Sequence, residues 1–192
     1  MKQQKNKRIE VEFRSRFDRN KYKDLERFLK VNAKDLAKDD KNVFFFILPD
    51  KFLKVVDNIS QKTAKIVLKL NKIGYGSDFE EIEIPINPLE VTKAVKMIRS
   101  LNLGGDLMES FQKRHNYSYK GIEIALKYSD HWGYHLELEI VVDDAVKKAK
   151  AEQKIKAVAQ ELNIRLMDEE ELKDFTRKAE KDYKNNRKNR SI

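Results

Sequence analysis

IEVEFRSRF, residues 9–17, reads as a strand with two unlike faces. Ile9, Val11, Phe13, Ser15 and Phe17 are apolar or small, and the residues between them are Glu10, Glu12, Arg14 and Arg16. Side chains alternate sides along a strand, so this pattern buries one face and charges the other. The charged face carries two acids and then two bases. It is either a solvated surface or the wall of a binding site.

The same alternation recurs further along. Glu81 and Glu83 alternate with Ile82, Ile84 and Ile86; Glu123 and Lys127 with Ile122, Ile124 and Leu126; His135, Glu137 and Glu139 with Leu136, Leu138 and Ile140; Lys65 and Lys69 with Ile66, Leu68 and Leu70. Eight strands are expected, over 9–17, 42–48, 52–57, 63–71, 78–86, 107–119, 121–129 and 134–142. Their short links imply mostly antiparallel pairing. IGYGS (73–77) is read as a hairpin turn, because its G-x-G lacks the flanking pattern of a nucleotide-binding loop.

Helical stripes separate and follow the strands. Tyr22, Leu25, Phe28 and Leu29 follow Asp18, and Asn87-Pro88 opens a helix carrying Val91, Ala94, Val95, Ile98 and Leu101, ended at Gly104-Gly105. Residues 144–163 form a third helix. A fourth begins at Asp168, where Glu171 completes a capping box, and carries Leu172, Phe175, Ala179 and Tyr183. KNNRKNRSI (184–192) is expected to be disordered.

An open sheet with a wet charged face is the commoner antiparallel arrangement. The amphipathic helices argue for another. An apolar sheet face must be covered, and helices packed on it turn the charged face inward. Charges cannot be buried there unpaired. The interior must be wet or hold ligands of both signs: acids suit a hard divalent cation, bases a polyanion such as phosphate. A metal–triphosphate complex meets both needs.

Charge and composition narrow the classes. The chain has 192 residues, 40% hydrophobic and 38% charged, with a net charge of +9 and no cysteine. Residues 1–8 carry +4 and residues 173–192 carry +5, so 9–172 is formally neutral. The basic excess is read as two solvated ends rather than a nucleic-acid footprint, and a nucleic-acid partner is not expected. Disulfides and cysteine-bound zinc are excluded. No long apolar run marks a membrane span, and MKQQKNKR is not a secretory leader, so a cytoplasmic location is expected.

Three Glu-x-Glu strands, the first being Glu-x-Glu-x-base near the N-terminus, together with FEEIEI and with Gly133 before LELEI, resemble the CYTH family of triphosphate tunnel metalloenzymes. The resemblance spans 9–163. It implies an α+β fold: an eight-stranded antiparallel β-barrel, the triphosphate tunnel, with helices outside and a C-terminal helical extension. The expected layout is a basic tail (1–8), the tunnel domain (9–163), and a final helix with a basic disordered tail (164–192). The family includes class IV adenylyl cyclases, thiamine triphosphatases and inorganic triphosphatases.

Position by position, the resemblance implies Mg²⁺ or Mn²⁺ on Glu10, Glu12, Glu81, Glu83, Glu137 and Glu139. It implies phosphate binding by Arg14, Arg16, Lys54, Lys65, Lys69, Arg114 and Lys127. The catalytic set is expected to be Glu10, Glu12, Arg14, Lys69 and Arg114. Arg14 replaces a usual lysine and keeps the charge. Val56 stands where a second arginine is usual, and Lys127 where an acid is. With Glu123 counted, seven inward acids face seven inward bases.

Other candidates carry less. His131 and His135 do not share a helix face as zinc ligands would. His115 and Trp132 are read as structural. The reading is a metal-dependent hydrolase of a small triphosphate (inorganic tripolyphosphate, nucleoside or thiamine triphosphate), monomeric or homodimeric. Its rivals are a class IV-type adenylyl cyclase making cyclic AMP from ATP, and a non-catalytic polyphosphate or nucleotide binder.

Overall fold

The computed structural model describes residues 9–48, 51–70, 81–103 and 106–188. The 73–77 turn, Asp78–Glu80, Gly104-Gly105, the N-terminal basic segment and residues 189–192 lie outside the described residues, as does the side chain of Glu81.

The opening alternation forms β1 (Ile9–Arg16), and Asp18 ends it by capping α1 (Arg19–Asn32), its carboxylate accepting from the Lys21 amide at 2.8 Å. There follow β2 (Lys34–Lys38), β3 (Lys41–Ile47), β4 (Phe52–Asn58), β5 (Thr63–Lys69) and β6 (Glu81–Ile86). A 3-10 turn over Pro88–Glu90, capped by the Asn87 side chain, leads into α2 (Val91–Ser100). Then come β7 (Asp106–Tyr119), β8 (Ile122–Ser129), β9 (Gly133–Val142), α3 (Lys148–Glu161) and α4 (Glu169–Lys188). No described helix is long and apolar enough to cross a membrane.

Every pairing is antiparallel, in the order β1-β9-β8-β7-β3-β4-β5-β6. The expected eight strands are all there. β2 is an addition that alternation could not reveal. It is a largely exposed strap of mixed charge, pairing only with β7 across an irregularity that contains Ala37 at φ +81.

The apolar face points outward under the helices. Val11, Ile122, Ile124, Leu126, Leu136 and Leu138 pack with Tyr22, Leu25 and Leu29 of α1 and with Ala151, Ile155, Val158 and Ala159 of α3. Val91, Ala94 and Ile98 of α2 pack on Phe46, Val55, Ala64 and Leu107. Each such large aliphatic side chain contributes about 1.5–3 kcal/mol by leaving water.

Ile82 and Ile84 depart from the expectation of outward packing under a helix, being 48% and 55% exposed. α2 lies over β4, and among the described residues Ile86 of β6 packs against its cluster while Ile82 and Ile84 do not.

The sheet curls into a half-barrel rather than a closed ring. Among the described residues β1 has no ladder with β6. The chain after α3 runs along part of β1 instead: Met167 N–H donates to Arg14 O at 2.8 Å, and Ser15 Oγ donates to Arg165 O at 2.7 Å. Past this strap, Asp168 and Glu171 form the reciprocal capping box that starts α4. α4 runs to Lys188, so residues 184–188, expected to be disordered, are helical. No glycine or proline stops the helix there, and lysine and arginine propagate it well.

Candidate functional site

Antiparallel register sets the inward side chains in rows. Glu12 of β1 lies opposite Glu139 of β9, which lies opposite Glu123 of β8. The next inward row is Arg14, Glu137, Ala125 and Asn116, and the next is Arg16, His135, Lys127 and Arg114. Opposed residues in neighbouring strands have Cα atoms only about 4.5–5.5 Å apart. A row of acids therefore lies beside rows rich in cations.

These rows face a cavity of 240 Å³. Glu10, Glu12, Arg14, Lys54, Lys65, Lys69, Glu83, Arg114, Lys127, Glu137 and Glu139 all line it. Arg16 does not. It is exposed, donates from Nε to the Trp132 carbonyl at 3.0 Å, and stacks 3.7 Å from the centroid of Phe175 on α4. Trp132 meets Phe175 edge-on at 5.0 Å, while Thr176 and Ala179 of α4 border the cavity. Glu83 is exposed and paired with Lys65.

Lys41 also lines the cavity, and sequence reasoning missed it. It alternates with Val43 and Phe45 along β3, but the run VFFFI hides that period. Lys41 donates from Nζ to Asp39 Oδ2 at 2.7 Å. Asp39 is buried between β2 and β3, and also receives Asn58 Nδ2 and, at 3.2 Å, Arg114 Nε. Burial opposes the Asp39 charge, but the Lys41 hydrogen bond and the charges of Lys41 and Arg114 outweigh it and lower its pKa. The signal in the sequence was Asp39-Asp40 just before a strand.

Between their lysines, β3 and β4 give the wall an apolar patch. Val43, Phe45, Val56, Val67 and Met108 form a buried cluster with Phe52 packed against it. Val56, where the resemblance led one to look for a guanidinium, is part of this patch.

Electrostatics divide the charged wall in two. At Glu137, Oε1 accepts from Lys127 Nζ at 2.9 Å and from Arg14 Nε at 3.1 Å, and Oε2 lies 3.5 Å from Arg114 Nη1. Burial works against the Glu137 charge, yet Lys127, Arg14 and Arg114 hold its pKa well below the usual carboxylate value. Burial first, and then Arg114 and Arg14, push Lys127 down to about 8. Burial also opposes the Arg14 charge, and Glu12, 2.5 Å away, together with Glu137, overturns that and raises its pKa. Burial and Lys127 push the neighbouring His135 down to about 3, so its imidazole is neutral.

At the acid row the balance reverses. Burial and the crowding of Glu10, Glu12, Glu123 and Glu137 raise Glu139 to about 8. Such mutual repulsion between oxygen donors is what a divalent cation relieves, so the Glu10, Glu12, Glu123 and Glu139 group fits Mg²⁺ or Mn²⁺ in its chemistry. Among the described residues no three acids or imidazoles already converge as a cage. A cation would have to draw them together.

No sequence-family model matches the chain, and no curated protein matches it by sequence. Solved structures do. The PH1012 protein from Pyrococcus horikoshii OT3 aligns at TM-score 0.67 and 21% identity, covering 81% of this chain and 91% of that one. A candidate adenylate cyclase from Vibrio parahaemolyticus aligns at 0.63 and 17%, covering 85% and 91%. HpAC1 from Hippeastrum, a candidate adenylyl cyclase described as having a dominant triphosphatase activity, aligns at 0.61 and 14%, covering 83% and 90%. These likenesses show a shared fold, an antiparallel half-barrel with helices outside.

Proposed function

We propose that this chain is a metal-dependent hydrolase of a small triphosphate. The observation that carries the reading is the meeting, in one cavity, of Glu10, Glu12, Glu137 and Glu139 with Arg14, Lys41, Lys54, Lys65, Lys69, Arg114 and Lys127. Acids and bases of this kind on one wall suit a polyanion with its cation. The activity described for HpAC1 supports the same reaction class for this fold.

Glu10, Glu12, Glu123 and Glu139 are the residues that would hold Mg²⁺ or Mn²⁺. The cation, when bound, would polarise a phosphoryl oxygen and offset its charge. The chain's own part is electrostatic. Arg14, Lys69 and Arg114 clamp the phosphates and take up the charge that develops on them as the terminal phosphoryl group passes to water and the bridging oxygen departs with the diphosphate portion. Lys54, Lys65 and Lys41 extend the clamp along β3–β5. Asp39 and Asn116 fix the Arg114 side chain, Asn116 Oδ1 accepting from Arg114 Nε at 2.6 Å. Trp132, Phe175 and Ala179 shield one side of the cavity from water.

The size of the cavity favours a compact substrate. Its 240 Å³ falls below the roughly 300–1,000 Å³ of pockets that enclose drug-sized ligands. Inorganic tripolyphosphate is therefore the substrate we favour. The test is incubation with tripolyphosphate, ATP or thiamine triphosphate, with Mg²⁺ or Mn²⁺, followed for phosphate, pyrophosphate and cyclic AMP. Phosphate release fastest from tripolyphosphate is expected. Cyclic AMP from ATP would replace hydrolysis with cyclisation, and binding without turnover would leave a non-catalytic binder.

A further inference from the structure

We propose that the three cations converging on Glu137 form a phosphoryl cradle that binds a triphosphate without a metal ion, Glu137 being the internal anion that the substrate displaces. The inference rests on the triphosphate reading above and divides the site differently from the sequence expectation, in which Glu137 ligates the metal.

The geometry argues for the division. Glu137 is largely enclosed, its side chain 13% exposed, and Lys127 and Arg14 beside it are buried, 7% and 8% exposed. One oxygen, Oε1, serves both Lys127 at 2.9 Å and Arg14 at 3.1 Å. The other lies 3.5 Å from Arg114, longer than a normal hydrogen bond. Two oxygens and one charge thus serve three cations. A fourth cation placed on the same carboxylate would lie among three like charges. A phosphoryl group offers three acceptor oxygens and up to two charges, and guanidinium donors match it well.

Glu12 and Asp39 also hold Arg14 and Arg114, at 2.5 and 3.2 Å, so both guanidinium groups keep a partner when Glu137 swings away. The crowded acids lie one register row away, at Glu12, Glu139 and Glu123. Anion and metal therefore have adjoining seats, with Glu12 bordering both. The anion can arrive first and the cation can follow.

The experiment is calorimetric titration of tripolyphosphate into the full chain at pH 6.5, where Lys127 is charged, once in EDTA and once with Mn²⁺. Wild type is expected to bind in EDTA. Glu137→Gln is expected to bind about tenfold more tightly in EDTA, because the competing charge is gone, and Lys127→Gln about tenfold more weakly. A metal ligand would behave oppositely: Glu137→Gln would bind no tighter. That outcome, or wild-type binding that needs Mn²⁺, overturns this proposal while the functional reading stands. Absence of binding under both conditions overturns the functional reading and this proposal together. Should Glu137→Gln fail to fold, Lys127→Gln decides alone: unchanged affinity in EDTA overturns the cradle.

Discussion

Glu139 has a consequence for stability that can be measured. Its folded-state pKa, about 8, lies above the unfolded value of 4.5, so the stability it contributes is complete below pH 4.5 and is lost as pH rises to about 8. His135 acts in the opposite sense. Its folded pKa of about 3 lies below 6.5, so stability grows as pH rises between those values. Lys127, lowered from 10.5 to about 8, adds stability only above pH 8. Between pH 6.5 and 8 Glu139 therefore dominates among these three, and stability should fall by about 2 kcal/mol across that window. Thermal melts should show the fall in wild type and its loss in Glu139→Gln. Mn²⁺ should flatten it too, if the acid row holds the ion. Val56 gives a second prediction. Restoring a base there, as Val56→Arg, puts a charge into the buried cluster of Val43, Phe45, Val67 and Met108. A loss of at least about 2 kcal/mol in chemical denaturation is expected, with no gain in turnover.

At the scale of elements, β9 and β6 carry the same kind of pattern and have different fates. Leu138 of β9 is fully buried under the helices, and Leu138→Ala should cost about 2–5 kcal/mol. Ile84 of β6 is 55% exposed at the sheet's edge, and Ile84→Thr should cost less than about 0.5 kcal/mol. Denaturant midpoints of the two variants check the contrast; equal losses would mean that β6 is covered. Among the described residues α4 meets the rest of the fold through Phe175 between Trp132 and Arg16, Glu171 on Arg165, and buried Ala179 beside the cavity. Phe175→Ala should raise amide exchange across 172–179 by about tenfold or more, while β7–β9 stay protected. Equal acceleration in β8 would show that α4 is part of the main cooperative unit.

At the scale of the whole molecule, core and site occupy opposite faces of one sheet. Packing under α1, α2 and α3 is apolar, and the cavity is where charges pair. Removing divalent cations should abolish turnover and leave the melting temperature within a few degrees at pH 6.5, because no core contact depends on them. Collapse of the melt on chelation would mean that the acid row is a structural metal site. Phosphate binding inside a half-enclosed cavity should weaken with salt less steeply than binding to an exposed basic surface, since charges shielded from water are screened less.

Sequence alone determined the strands and their faces. Alternation in IEVEFRSRF, IEIALKYS and YHLELEIVV is a local property, and a strand has only two sides. Amphipathic helices left one place for the charged side, and so most of the inward acids and bases are legible in the pattern, Arg16 and Lys41 being the exceptions. What the sequence could not decide was who partners whom. Register brought Glu12, Glu139 and Glu123 into one row and set Lys127 and Arg14 on Glu137, and register depends on strands far apart in the chain. Lys41 was hidden in an apolar run, and Asp39 stands in the short link before its strand. The fate of Ile82 and Ile84 depended on where α2 ends up, and the β1 edge on the path of residues 164–167. Pattern is written residue by residue along the chain. Pairing, coverage and pKa arise only when distant residues meet, because Coulomb and packing energies depend on distance in space and not on separation in sequence.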